Sequence, residues 1–87
     1  MKAAVFDTYV QKDSHTLMHF DIVVPENTDF ETVQRYGKSY LSVKGLGDLP
    51  LTSRECKFCH IEQASASLED SITSQGYAII EMENCNN

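Results

Sequence analysis

The sequence predicts a two-layer α+β domain, with a mixed four-stranded sheet and two helices on one face, in the order β-β-α-β-α-β. Three observations carry this reading. Residues 3–10 (AAVFDTYV) and 17–24 (LMHFDIVV) are rich in β-branched and aromatic side chains and are joined by a short polar segment, the pattern of a hairpin. Residues 28–44 repeat apolar side chains at helical spacing behind a capping signal. Two more short apolar segments, 58–62 and 77–83, flank a second helical pattern. Eighty-seven residues have room for one small domain, 1–87, with a modest core.

The polar run 11–16 (QKDSHT) reads as the hairpin loop, and Pro25 ends the second strand. The faces of this hairpin follow from alternation. A slip of one residue would exchange them. The choice that keeps Asp7 away from Phe20 groups Ala4, Phe6, Val10, Met18, Phe20, Ile22 and Val24 on an apolar face. The opposite face then carries Asp7, Tyr9, His19 and Asp21.

Thr28-Asp29-Phe30-Glu31 matches a capping box, with Thr28 as N-cap. Phe30, Val33, Gly37, Tyr40, Leu41 and Lys44 then form one stripe, and Gly45 suits the C-terminus. Gly37 inside that stripe costs roughly 1 kcal/mol relative to Ala, which close approach of the helix to the sheet would justify. Residues 45–50 (GLGDLP) form a loop. Thr52-Ser53-Arg54-Glu55 is a second capping-box match, so one helical turn leads into Cys56. Residues 58–62 read as a short strand. Residues 65–75 read as a second helix, with Ser65 at its N-cap, Leu68 and Ile72 inward, and Gly76 as its stop. In the last strand Ala78, Ile80 and Met82 are expected to face the core, with Glu81 on the other side. If the strands add in one direction, right-handed crossovers put both helices on one face. The other face is then open and carries Asp7, Tyr9, His19 and Glu81.

The charge balance excludes several partners. Acidic residues outnumber basic ones and leave a net charge of −6. Nucleic acid and anionic membrane surfaces both need Lys and Arg to meet their phosphates. No apolar run approaches the length of a membrane span. Lys2 is followed by a short apolar patch that Asp7 interrupts, which is not a signal peptide. The expectation is a cytosolic protein with reduced thiols. An odd count of three cysteines agrees, because a secreted disulfide framework uses even numbers.

The densest chemistry is Cys56-Lys57-Phe58-Cys59-His60, a C-x-x-C-H motif. Haem attachment needs export and a large apolar pocket, and neither is foreseen. A redox dithiol needs a stabilised thiolate, commonly at a helix N-terminus. Here the helical turn precedes Cys56, so its dipole works against a thiolate, with Arg54, Lys57 and His60 as the offsetting charges. Zinc needs four ligands. Cys56 and Cys59 supply a close pair, and Cys85 with His15, His19 or His60 would have to complete the site. His60 and Cys59 are adjacent, so both reach one ion only where the strand turns. The plainer reading makes Cys56 and Cys59 small core residues and Cys85 an exposed tail thiol. No cofactor is therefore expected, with zinc as the alternative.

Asp7, Tyr9, His19 and Asp21 form the second candidate group. A carboxylate beside an imidazole can orient a general base, with Cys59 or Cys56 as nucleophile if the third strand lies near. Otherwise the group is a solvated sheet face. The same register sends Val5, Tyr9, Leu17 and Val23 to this side. That mixture of apolar and polar groups fits an interface, with a second copy of the chain as the candidate partner.

The segments AVFDTYV, MHFDIVVP, YGKSYL, LTSRECKFCHIE and GYAIIEMENC together resemble a family of small, mostly bacterial proteins known only as a domain of unknown function. The resemblance spans almost the whole chain and is most specific in the last two segments. It implies a single cytosolic domain and supplies no catalytic residue. The sequence thus points to a small binding or interaction module using the open sheet face, rather than to an enzyme. The alternative is a thiol- or metal-dependent activity centred on Cys56, Cys59 and His60, with Cys85.

Overall fold

The computed structural model describes residues 1–86. Its centre is the hairpin of β1 (Lys2–Asp13) and β2 (Thr16–Pro25), paired antiparallel with Asp7 opposite Asp21 and Tyr9 opposite His19. This is the register that alternation requires. Both strands run further toward the turn than their composition indicates, so the 11–16 loop shrinks to a tight turn.

The remaining elements are α1 (Phe30–Val43), β3 (Cys56–Gln63), α2 (Ala66–Gln75) and β4 (Ala78–Glu83). The α+β class, the four strands and the element order are as read from the sequence. The sheet, however, is antiparallel throughout rather than mixed. Its order is β3-β1-β2-β4, because β3 pairs with β1 and β4 with β2, one on each side of the hairpin.

That order also separates the helices, which lie on opposite faces rather than on one. Phe6, Phe20, Ile22 and Val24 pack with Val33, Tyr40 and Leu41 of α1. Ala3, Val5, Val23 and Ala78 pack with Ile72 and Leu68 of α2. The handedness rule governs parallel crossovers. It does not bind α2, which joins two antiparallel edge strands. With α1 on the first face, α2 takes the second, where Ala3, Val5 and Val23 offer it an apolar seat. β4 follows suit in the opposite sense to expectation. Tyr77 and Ile79 turn to the α1 side, and Ala78 and Ile80 to the α2 side. Glu81 is likewise not on the open face: its carboxylate accepts a hydrogen bond from the Tyr40 hydroxyl of α1 and pairs with Lys44 at 3.0 Å.

Local signals decide the helix ends. Ser65 caps α2 by accepting the Leu68 N–H, and Gly76 closes it at φ +96°. The box at Thr52 forms as a single turn: the Thr52 N–H and hydroxyl both donate to Glu55. The box at Thr28 does not form. Asp29 is the N-cap of α1, and the Thr28 hydroxyl donates to the Pro25 carbonyl instead. Gly37 brings α1 down onto the sheet as expected. A Cβ there would meet the Leu51 side chain and lie 2.9 Å from Ile22 Cδ1.

Candidate functional site on the uncovered end of the sheet

α2 covers only one end of the second sheet face. Toward the hairpin turn the same face continues through Asp7 and Asp21, then Tyr9 and His19, without a helix above it. Backbone alternation alone places these four side chains together. Asp21 is nonetheless only 6% exposed. Its neighbours across the ladder are Asp7 on β1 and Ile80 on β4. Burial, and then the Asp7 carboxyl, push its pKa from the ordinary 3.8 up to about 6, against an opposing pull from His19 and His60. The His19 ring stacks on Tyr9 with centroids 4.0 Å apart and planes 11° from parallel. His19 Nε2 lies 3.8 Å from Asp21 Oδ1, beyond hydrogen-bond reach, and both atoms are buried without a hydrogen-bond partner among the described residues.

A bulge in β3 adds the third component. Val5 pairs with His60 and Phe6 with Phe58, which leaves Cys59 as the extra residue. The bulge is the turn that adjacent Cys59 and His60 need to share a face. Cys59 Sγ lies 3.2 Å from His60 Nδ1, and His60 Nε2 lies 2.8 Å from Glu62 Oε1. A carboxylate only accepts, so Nε2 carries the hydrogen, and Nδ1 is left to accept from the thiol. Desolvation and the neighbouring Asp7 carboxylate hold the Cys59 thiol above its ordinary pKa. Beside it opens a cavity of about 490 Å³, lined by Asp7, Tyr9, Arg54, Glu55, Lys57, Phe58 and Cys59.

The C-x-x-C-H motif does not act as a unit. Cys56 is 1% exposed in the α1-side core, whereas Cys59 is exposed on the other side. Cys59 is therefore not the core residue expected of it. Cys85 is not an exposed tail thiol either. It is buried in the α1-side core, where its Sγ–H lies 3.2 Å from the His19 carbonyl. Cys56 and Cys85 stand at opposite edges of the sheet, so Cys56, Cys59, His60 and Cys85 do not converge on one ion.

Over residues 1–82 the chain matches the profile of a family described as a domain of unknown function, DUF2024. The chain belongs to the DUF2024 family. Protein NE1680 of Nitrosomonas europaea, a structural-genomics target solved by NMR, has a similar structure. The two are 37% identical, with a TM-score of 0.87, over 99% of this chain and 100% of that one. No curated protein matches the sequence. Among the described residues, no helix of this DUF2024 chain is long and apolar enough to cross a membrane.

The sequence placed Asp7, Tyr9, His19 and Asp21 on one face, left Glu62 unmarked, and marked Arg54 and Lys57 only as charges beside the cysteines, not as neighbours of Asp7 and Tyr9. Glu62 was within reach, because residues two apart on a strand share a face and His60 was already marked. Arg54 and Lys57 reach this face through the way the 52–55 turn meets β1, where the Tyr9 N–H donates to the Glu55 carbonyl at 2.8 Å. A second hollow, of about 530 Å³, runs between α1 and Leu51. Its Gln34 and Lys38 already bond the carbonyls of Leu51, Gly47 and Leu49, so they serve to hold the loop.

Proposed function

We propose that the protein is a small binding module that takes a small, anion-bearing ligand at the uncovered end of its second sheet face. The observation that carries this is the cavity beside Asp7. Arg54 and Lys57 supply cationic groups in a chain that is otherwise acidic, Tyr9 and Phe58 supply apolar walls, and of the two lining carboxylates Glu55 is already engaged by the Thr52 N–H and hydroxyl. The size suits a small molecule rather than a polymer. Buried polar groups at its edge are a cost to the fold that a binding role accounts for. The test is an amide-shift screen of the ¹⁵N-labelled protein, kept metal-free with EDTA, against aromatic carboxylate and phosphate fragments. Hits are expected to move Tyr9, Arg54, Lys57 and Cys59 together. Hits confined to the hollow beside α1, or no hits, would refute the reading.

One observation favours a second reading, a thiol-dependent activity. Cys59, His60 and Glu62 are aligned as nucleophile, base and orienting carboxylate. On this reading His60→Gln slows alkylation of Cys59 by iodoacetamide and flattens its pH profile. Equal rates in both proteins would remove it.

A further inference from the structure

From the same face we infer that Asp7, His19 and Asp21 form a binding site for one divalent transition-metal cation. This inference rests on the reading of that face as the binding surface, and it names what anchors the site.

The centre of the sheet holds an arrangement that a fold should avoid. Asp7 and Asp21 stand directly opposite each other on the two central strands. Like charges in that position oppose pairing. One of the two, Asp21, is almost fully buried, and its Oδ1 has no hydrogen-bond partner among the described residues. The imidazole beside it has the same defect at Nε2. Buried polar atoms are nearly always satisfied, and here two orphans face each other. The two atoms share one small space 3.8 Å apart, too far to hydrogen-bond each other. A cation between them would satisfy both.

The spacing fits a cation. One donor atom from each of Asp7, His19 and Asp21 lies within 4.8 Å of the others. Two donors bound to one ion at ~2.1 Å each stand roughly 3–4 Å apart, and the 3.8 Å between His19 Nε2 and Asp21 Oδ1 falls in that range. Two carboxylate oxygens and one imidazole nitrogen suit Zn²⁺, Mn²⁺ or Fe²⁺. They do not suit Ca²⁺ or Mg²⁺, which favour all-oxygen sites, or a soft ion that selects thiolates. The two carboxylates would balance the charge of the ion.

The site is also held in shape. All three residues are on β1 and β2, the inner strands of the sheet. Stacking on Tyr9 sets the plane of the His19 ring before any ion arrives. Three protein donors leave coordination positions open, and Asp7 borders the cavity where Arg54 and Lys57 would receive an anion. The C-x-x-C-H motif offered Cys56 and Cys59 as zinc ligands, to be completed by Cys85 and one of His15, His19 or His60. The geometry assigns the metal to a set with no cysteine in it.

The test uses the whole chain, stripped of metal with EDTA and dialysed. Zn²⁺ is titrated by calorimetry, and Mn²⁺ is added to the ¹⁵N-labelled protein as a paramagnetic probe. One Zn²⁺ per chain is expected, with Mn²⁺ broadening Asp7, His19 and Asp21 first. Asp21→Asn and His19→Gln should each weaken Zn²⁺ by at least about tenfold, while His60→Gln and His15→Gln leave it unchanged. Circular dichroism checks each fold, and Asp7→Asn replaces any variant that does not fold. Absence of stoichiometric binding overturns the inference. So does binding that survives Asp21→Asn, or that is lost with His60→Gln. If Zn²⁺ fails but anionic fragments still cluster at Tyr9 and Lys57, only the metal site falls. If Zn²⁺ binds and the fragments do not, the cavity reading falls instead.

Discussion

Replacing Asp21 by Asn should stabilise the metal-free protein at neutral pH and leave it unchanged in acid. Asp21 is raised from 3.8 to about 6 in the fold. A carboxyl raised on folding binds protons more tightly in the native state than in the unfolded state. Native stability therefore falls as pH rises from about 4 to 6, and the loss is complete above the folded pKa. The shift corresponds to at most about 3 kcal/mol. Asp7 sits at a half-exposed position where water screens part of the repulsion, so we take the range as about 1–3 kcal/mol. Asn has nearly the same shape and no charge, and it can donate to the Asp7 carboxylate. For a chain of this size about 1–3 kcal/mol corresponds to a rise in melting temperature of roughly 5–15 °C. Urea denaturation in EDTA at pH 4, 5, 6, 7 and 8 measures it. The two proteins should coincide near pH 4 and separate through pH 6. A difference of constant size across that range, or an Asn variant less stable at pH 7, would refute the reasoning.

Four further outcomes follow from the same geometry. In native protein iodoacetamide should label Cys59 alone, with Cys56 and Cys85 labelled only on unfolding, as mass spectrometry of the peptides would show. Because Asp7 raises the Cys59 pKa, Asp7→Asn should speed that labelling at pH 8. Gly76→Ala should cost about 1–2 kcal/mol, because φ of +96° is strained for Ala and a Cβ there would crowd the Tyr36 hydroxyl; a lower urea midpoint at unchanged slope checks it. Light scattering at micromolar concentration should give the mass of a monomer, because Val5 and Val23, half of the apolar set that pointed to a dimer, lie beneath α2, leaving Tyr9 and Leu17 exposed.

What the sequence determined by itself was local or two-fold periodic. Alternation and one forbidden pairing, Asp7 against Phe20, set the hairpin register and so brought Asp7, Tyr9, His19 and Asp21 to one face. Ser65 and Gly76 bounded α2, and Gly37 marked where α1 touches the sheet. Each of these depends on residues close in the chain or on a period that the backbone imposes. What the sequence did not decide was which edge each late strand joins, and hence which face each helix covers. One clue was present: Ala3-Ala4-Val5-Phe6 and Ile22-Val23-Val24 are apolar on both faces, as strands covered on both sides are. Only the tertiary structure resolved it. It placed β3 beside β1 with a bulge at Cys59, turned Cys56 and Cys85 into the α1 core, and put α2 over one end of the second face. It also buried Asp21, between Asp7 on β1 and Ile80 on β4. A side chain's direction is a property of its own strand, but its burial depends on what the rest of the chain lays over it.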